Sequence, residues 1–99
     1  MVSLNSIKVG LRTTTSNTTL SLTNDYFLCT DSTAGTITVT LPPSPPTGQT
    51  FLVKDCTGQA ATHNVIVSGG TIDGQSSYTL SVGFQAVGFT WTGSQWGLN

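Results

Sequence analysis

Charge is what this sequence most conspicuously has little of. Only 7% of its 99 residues are Asp, Glu, Lys or Arg, glutamate is absent, and the net charge is −1. A nucleic-acid-binding surface needs clustered cations to displace the counterions of the phosphate backbone. Lys8, Arg12 and Lys54 are scattered along the chain, so nucleic acid is not an expected partner. Disorder goes with low hydrophobicity and high charge; here 36% of residues are hydrophobic, and a packed fold is expected. No stretch approaches the roughly 20 apolar residues of a membrane-spanning helix. The opening MVSLNSIKVGLR has neither the charged-then-apolar order nor the cleavage site of a secretory leader. The expectation is a soluble product of the cytosol, with no membrane partner.

Reactive side chains are equally sparse. The two cysteines, Cys29 and Cys56, are expected as buried thiols rather than a disulfide in a cytosolic product, and their spacing fits no metal or redox motif. His63 is the single histidine. It lacks an evident nucleophile and orienting partner, so a loop role is expected rather than catalysis. Asp25, Asp31, Asp55 and Asp73 are spread over separate turns. A calcium site draws on about six to eight oxygens, usually from clustered carboxylates, so turn capping is the better reading. Gly69-Gly70 is followed by no helix that could supply amides to a phosphate. The expectation is therefore no enzyme, no catalytic residue, no metal site and no cofactor.

What the chain has in abundance is threonine, about a fifth of its residues. The branched Cβ of threonine suits a pleated strand, while glutamate and lysine, ordinary helix material, are absent or scarce. Thr36-Ile37-Thr38-Val39-Thr40-Leu41 alternates without a break, and Pro42, Pro43, Pro45 and Pro46 then stop it. Further strands are expected at Thr18–Thr23, Tyr26–Thr30, Gln49–Lys54, Asn64–Val67, Thr71–Gly74, Ser77–Val82 and Gln85–Thr92. Gly93-Ser94 should turn a hairpin that returns Trp96 and Leu98 antiparallel. Short strands at regular spacing, with nothing long enough for a crossover helix, predict an all-β sandwich, barrel or prism with a mainly antiparallel sheet. The inward set should be Ile37, Val39, Leu41, Phe51, Val53, Val65, Val67, Phe89 and Trp91. For Trp96, core, subunit interface and ligand contact are all open, and it is the candidate interface residue.

The composition shifts at TTTSNTT, residues 13–19. Residues 1–17 form a candidate arm, and residues 18–99 a compact β domain. Within the arm Val2, Leu4, Ile7, Val9 and Leu11 are apolar and alternating. Strands of that kind seek a partner's sheet edge or groove, which makes these five the candidate contact residues for another protein.

From about Thr18 to Leu98 the chain resembles a β-domain of bacteriophage structural proteins: tail fibres, head fibres and capsid decoration proteins. The residues that carry the resemblance are Asp25-Tyr26, the turn Asp31 to Gly35, Ile37 to Pro42, Gly48, Phe51 and Lys54-Asp55 with Gly58. Thr71-Ile72-Asp73-Gly74, Tyr78-Thr79-Leu80 and Gly93-Ser94-Gln95-Trp96 complete the set. The resemblance implies a virion component, made in the host cytoplasm, that acts as a homotrimer. The short segment before the domain favours a capsid decoration or cement protein on the capsid surface, with the major capsid protein or another virion protein as partner. The alternative is a receptor-binding fibre tip that recognises host surface glycan.

Overall fold

The structure is a computed structural model and describes residues 10–99. The candidate contact residues Val2, Leu4, Ile7 and Val9 lie outside the described residues. Within them every regular element is a strand: β1 (Leu11–Thr14), β2 (Thr18–Thr19), β3 (Phe27–Thr30), β4 (Ile37–Thr40), β5 (Thr50–Asp55), β6 (Val65–Ile72), β7 (Gln75–Leu80), β8 (Ala86–Trp91) and β9 (Trp96–Leu98). The domain is all-β, as the threonine-rich, alternating sequence predicts.

The chain winds as a flattened coil. β1, β3 and β5 lie side by side and parallel, from Leu11↔Phe27↔Leu52 to Thr14↔Thr30↔Asp55. β2, β4 and β6 do the same in the second layer, with Thr18↔Val39↔Val67 in register. Each turn of the chain therefore lays one strand in each layer and returns one strand further on. β8 extends the first layer antiparallel to β5, and β7 extends the second antiparallel to β6. β9 pairs with both β8 and β6 and joins the layers, giving the order β1-β3-β5-β8-β9-β6-β4-β2.

The expected mainly antiparallel sheet is thus corrected, since five of the eight strand pairings are parallel. A parallel pair needs a crossover of about a dozen residues or more, usually a helix. Here the crossover is filled by a strand of the opposite layer. Between β1 and β3 the chain passes through β2, and between β4 and β6 it passes through β5. The lack of helix-forming sequence therefore did not exclude parallel pairing.

Alternation places the core between the layers. Leu28, Phe51, Val53, Val87 and Phe89 point inward from the first layer, and Ile37, Val39, Val65, Val67 and Leu80 from the second. Thr38 and Thr40 face outward and are half-buried. Burying a side chain of this size stabilises by roughly 1.5–3 kcal/mol. Trp91 is only partly buried and packs edge-on against Trp96, with ring centroids 5.5 Å apart. Trp96, the candidate interface residue, is 1% exposed and lies 5.8 Å from the Phe51 ring. This is a correction: Trp96 belongs to the chain's own core, because β9 is the strand that bridges the two layers.

Two further expectations change. Residues 64–74 form one bent strand and a turn rather than two strands, because β6 runs on through an irregularity between Ser68 and Ile72. Gly69 sits at this bend with φ 109, and a Cβ there would come within 2.6 Å of the Leu41 carbonyl oxygen. Cys29 and Cys56 are joined in a disulfide, with Cα atoms 5.3 Å apart. The alternation that buries Leu28 and Thr30 turns Cys29 to the outer face of β3. Cys56 follows the neighbouring strand, its N–H donating to the Thr30 carbonyl. The pair is a clip between adjacent strands, not two core thiols.

Sheet pairing begins ahead of the expected boundary at residue 17. The Gly10 carbonyl accepts the N–H groups of Tyr26 and Phe27, and β1 is a full member of the first layer. Residues 15–17 are the turn between layers. Its side chains do the bonding: the Thr14 hydroxyl donates to the Ser16 carbonyl, and Asn17 Oδ1 accepts the Thr38 N–H at 2.8 Å.

Candidate interaction surfaces

His63 is placed as a structural residue. Its Nδ1 lies 2.9 Å from the Ser32 carbonyl, while the Ser32 hydroxyl donates to the His63 carbonyl at 2.7 Å. The pair ties the 31–35 turn to the loop before β6. The four aspartates each accept a backbone N–H: Asp25 from Ser21, Asp31 from Thr33, Asp55 from Ala60 and Asp73 from Leu98. For Asp25, Asp31 and Asp55 that is the turn-capping role read from the sequence; Asp73 instead ties its turn to β9.

Two surfaces stand out, one at the start of the coil and one on the β7–β8 loop. At the start of the coil, no strand among the described residues pairs with the outer edge of β1 or of β2. Leu11, on β1, is 66% exposed. It is the one candidate contact residue inside the described region, and it lies on an open edge. Arg12 fixes this end. Its Nε and Nη2 make a two-pronged ion pair with Asp25 at 3.0 Å, and Nη1 donates to the Thr18 hydroxyl. The guanidinium holds the Asp25 carboxyl below the usual carboxylate range, against the opposing push of burial. Beside β2 is an open groove of about 360 Å³ lined by Asn17, Thr18, Thr19, Thr38 and Thr40. Its lining offers threonine hydroxyls and methyls and one amide, and no charged side chain lines it.

The second surface is built on Asp55, the last residue of β5. Its carboxylate is fully buried and accepts three N–H groups, from Thr57, Ala60 and Phe84. Burial pushes this carboxyl up, but the N–H groups of Ala60, Phe84 and Thr57 lead the opposing pull and hold the group below its usual range. Phe84 itself is 60% exposed and has φ 66. Its carbonyl accepts from Lys54 Nζ at 2.7 Å, and the same ammonium lies 5.7 Å from the centre of its ring. Val82, two residues earlier, is 62% exposed.

Sequence reading missed this second surface. Nothing local in the sequence marks Phe84 as outward. The signal lies in Asp55, whose grip on a residue 29 positions away is invisible without the fold. No protein-family model matches the sequence, and no curated protein is significantly similar to it.

Proposed function

We propose that the chain is a structural protein of a bacteriophage particle, a homotrimer that decorates or cements the capsid. The observation that carries this reading is the open start of the coil. A rigid two-layer coil has unpaired outer edges on β1 and β2 among the described residues, with exposed Leu11 beside them and an alternating apolar segment just before. Unpaired edges recruit strands from other chains, gaining affinity from backbone hydrogen bonds. The resemblance of residues 18–98 to phage fibre and decoration domains points the same way. In this reading Val2, Leu4, Ile7, Val9 and Leu11 contact the major capsid protein or another virion protein, and the work is mechanical.

The test is add-back of purified protein to particles that lack it. Removal of residues 1–9 spares Arg12 and its ion pair with Asp25, so the β domain should keep its unfolding midpoint while particle binding is lost. Full-strength binding by the shortened chain would place the anchor elsewhere, and absence of binding by the intact chain would reject the decoration role.

The groove at Asn17, Thr18, Thr19, Thr38 and Thr40 favours a second reading, a fibre-tip domain that holds host glycan. Hydroxyls both donate and accept, and an uncharged lining suits a neutral saccharide. A glycan array probed with the intact protein separates the two: saturable binding that Thr38→Val abolishes supports the fibre tip, and none argues against it.

A further inference from the structure

The chain has two cysteines, and so one possible internal pairing. The fold brings them together by backbone pairing alone. β3 and β5 run parallel with Cys29 opposite Lys54 and Thr30 opposite Asp55, so Cys56 is the next residue beyond the register. Its N–H donates to the Thr30 carbonyl at 3.0 Å, and the Thr30 hydroxyl donates to the Lys54 carbonyl at 3.1 Å. Leu28, Thr30, Val53 and Asp55 are fully buried on the inner side of the same two strands, and strict alternation then fixes Cys29 on the outer side. The Cα atoms stand 5.3 Å apart, within the usual disulfide range. None of the contacts that place the two residues involves a sulfur atom. Both cysteines are half-buried rather than sealed, so a small thiol or disulfide can reach them.

The bond acts on the loop that follows β5, residues 56–64. Hydrogen bonds hold this loop at several points: the N–H groups of Thr57 and Ala60 donate to Asp55, Asn64 Nδ2 donates to the Ala60 carbonyl, and Ser32 donates to the His63 carbonyl. The disulfide is the single covalent tie from the loop to β3, across a sequence separation of 27. We propose that Cys29 and Cys56 form a redox-operated clip: the chain reaches its fold with both thiols free, and the bond closes afterwards to lock the 56–64 loop onto β3. The inference stands apart from the phage reading. Closure proceeds by exchange with a small disulfide of the glutathione class. One cysteine thiolate attacks a sulfur of that disulfide, which forms a mixed disulfide and releases one small thiolate. The second cysteine thiolate attacks the protein sulfur of the mixed disulfide and releases the other. Two electrons pass from the cysteines to the small disulfide, and the two thiol protons end on the released thiols. Excess small thiol drives the same steps backwards. A reducing compartment therefore holds the open form and an oxidising one the locked form.

The experiment takes the intact protein, reduces it with dithiothreitol, removes the reductant and adds glutathione disulfide to half, all without denaturant. Alkylation and mass spectrometry count free thiols, thermal unfolding gives the midpoint, and amide hydrogen exchange locates any loosening. The reduced protein should still unfold cooperatively, with a midpoint lower by about 5–15 °C. Its faster exchange should be confined to residues 31–35 and 56–64 and leave β4 and β6 unchanged. Glutathione disulfide should close the bond within each chain and restore both readings. The double variant Cys29→Ser, Cys56→Ser should match the reduced protein with or without glutathione disulfide. An unfolded reduced protein would overturn the proposal, because the bond would then be needed to reach the fold. So would folded thiols that glutathione disulfide leaves free, or reduced and oxidised forms with the same midpoint and the same exchange.

Discussion

At the scale of single residues, Asp55 does the most. A buried carboxylate is costly unless hydrogen bonds replace the water it lost. Here three N–H groups, from Thr57, Ala60 and Phe84, replace it, and together they close the end of β5 and set the β7–β8 loop. Its pKa is lower in the folded chain than in the unfolded one, so the unfolded chain takes up the proton first as pH falls. The stability it contributes is complete above the ordinary carboxylate range and drains away as pH drops through the folded-state value. Asp25, held down by Arg12, adds to the loss in the same direction. The thermal midpoint should therefore be flat near neutrality and fall in acid, with a shallower acid decline in Asp55→Asn. Asp55→Ala, which leaves buried donors unpaired, should cost about 2–4 kcal/mol at neutral pH. An unchanged acid profile in Asp55→Asn would mean that other groups carry the acid sensitivity. The sequence marks Asp55 as a turn residue; it is instead the last residue of β5, and its carboxylate caps the turn that follows. That it is also buried, and reaches Phe84, depends on the pairing of β5 with β8 and could not be read from local pattern.

At the scale of elements, the clearest strand in the sequence is β4 of the structure, Ile37–Thr40. The Thr-Ile-Thr-Val-Thr-Leu run puts Ile37 and Val39 inward and Thr38 and Thr40 outward, because side chains alternate strictly along a strand. Val39→Ala should cost roughly 1–3 kcal/mol in chemical denaturation, through lost burial and a cavity. Thr38→Ala, on the outer face, should cost under about 0.5 kcal/mol. Equal, large losses at both positions would mean that the outer threonine face is covered by another subunit. Parity alone was enough to find Phe51, Val53, Val65, Val67 and Phe89 in the core. It failed at the two tryptophans, which lie directly opposite each other on β8 and β9. Which of them is sealed depends on β9 meeting β6 on its other side, where Ile72 pairs with Trp96 and Gly70 lies against the Trp96 ring. It failed also at the cysteines, whose disulfide follows from β3 and β5 being neighbours rather than from any spacing in the chain.

At the scale of the whole molecule, the all-β character was legible and the winding was not. Local sequence reports strands and turns, while the choice between a hairpin meander and a coil lies in which strands meet. The turn residues between β1 and β6 send the chain across to the opposite layer each time, and only the hairpins at Asp73-Gly74 and Gly93-Ser94 announce their pairing locally. The resulting molecule is held by burial and backbone pairing, with few charges. Among the described residues its one ion pair is Arg12–Asp25. Near neutral pH a tenfold rise in salt should therefore shift the unfolding midpoint by only about 1–2 °C, since screening acts on charges that are scarcely present. Association of copies should be equally indifferent to salt if it rests on apolar side chains, because apolar burial is not weakened by screening. Thermal unfolding checks the first and sedimentation at micromolar concentration the second, each in low and in high salt. Dissociation driven by salt would show instead that the subunits are held by charge, and Lys54, freed from Phe84, would then be the first residue to examine.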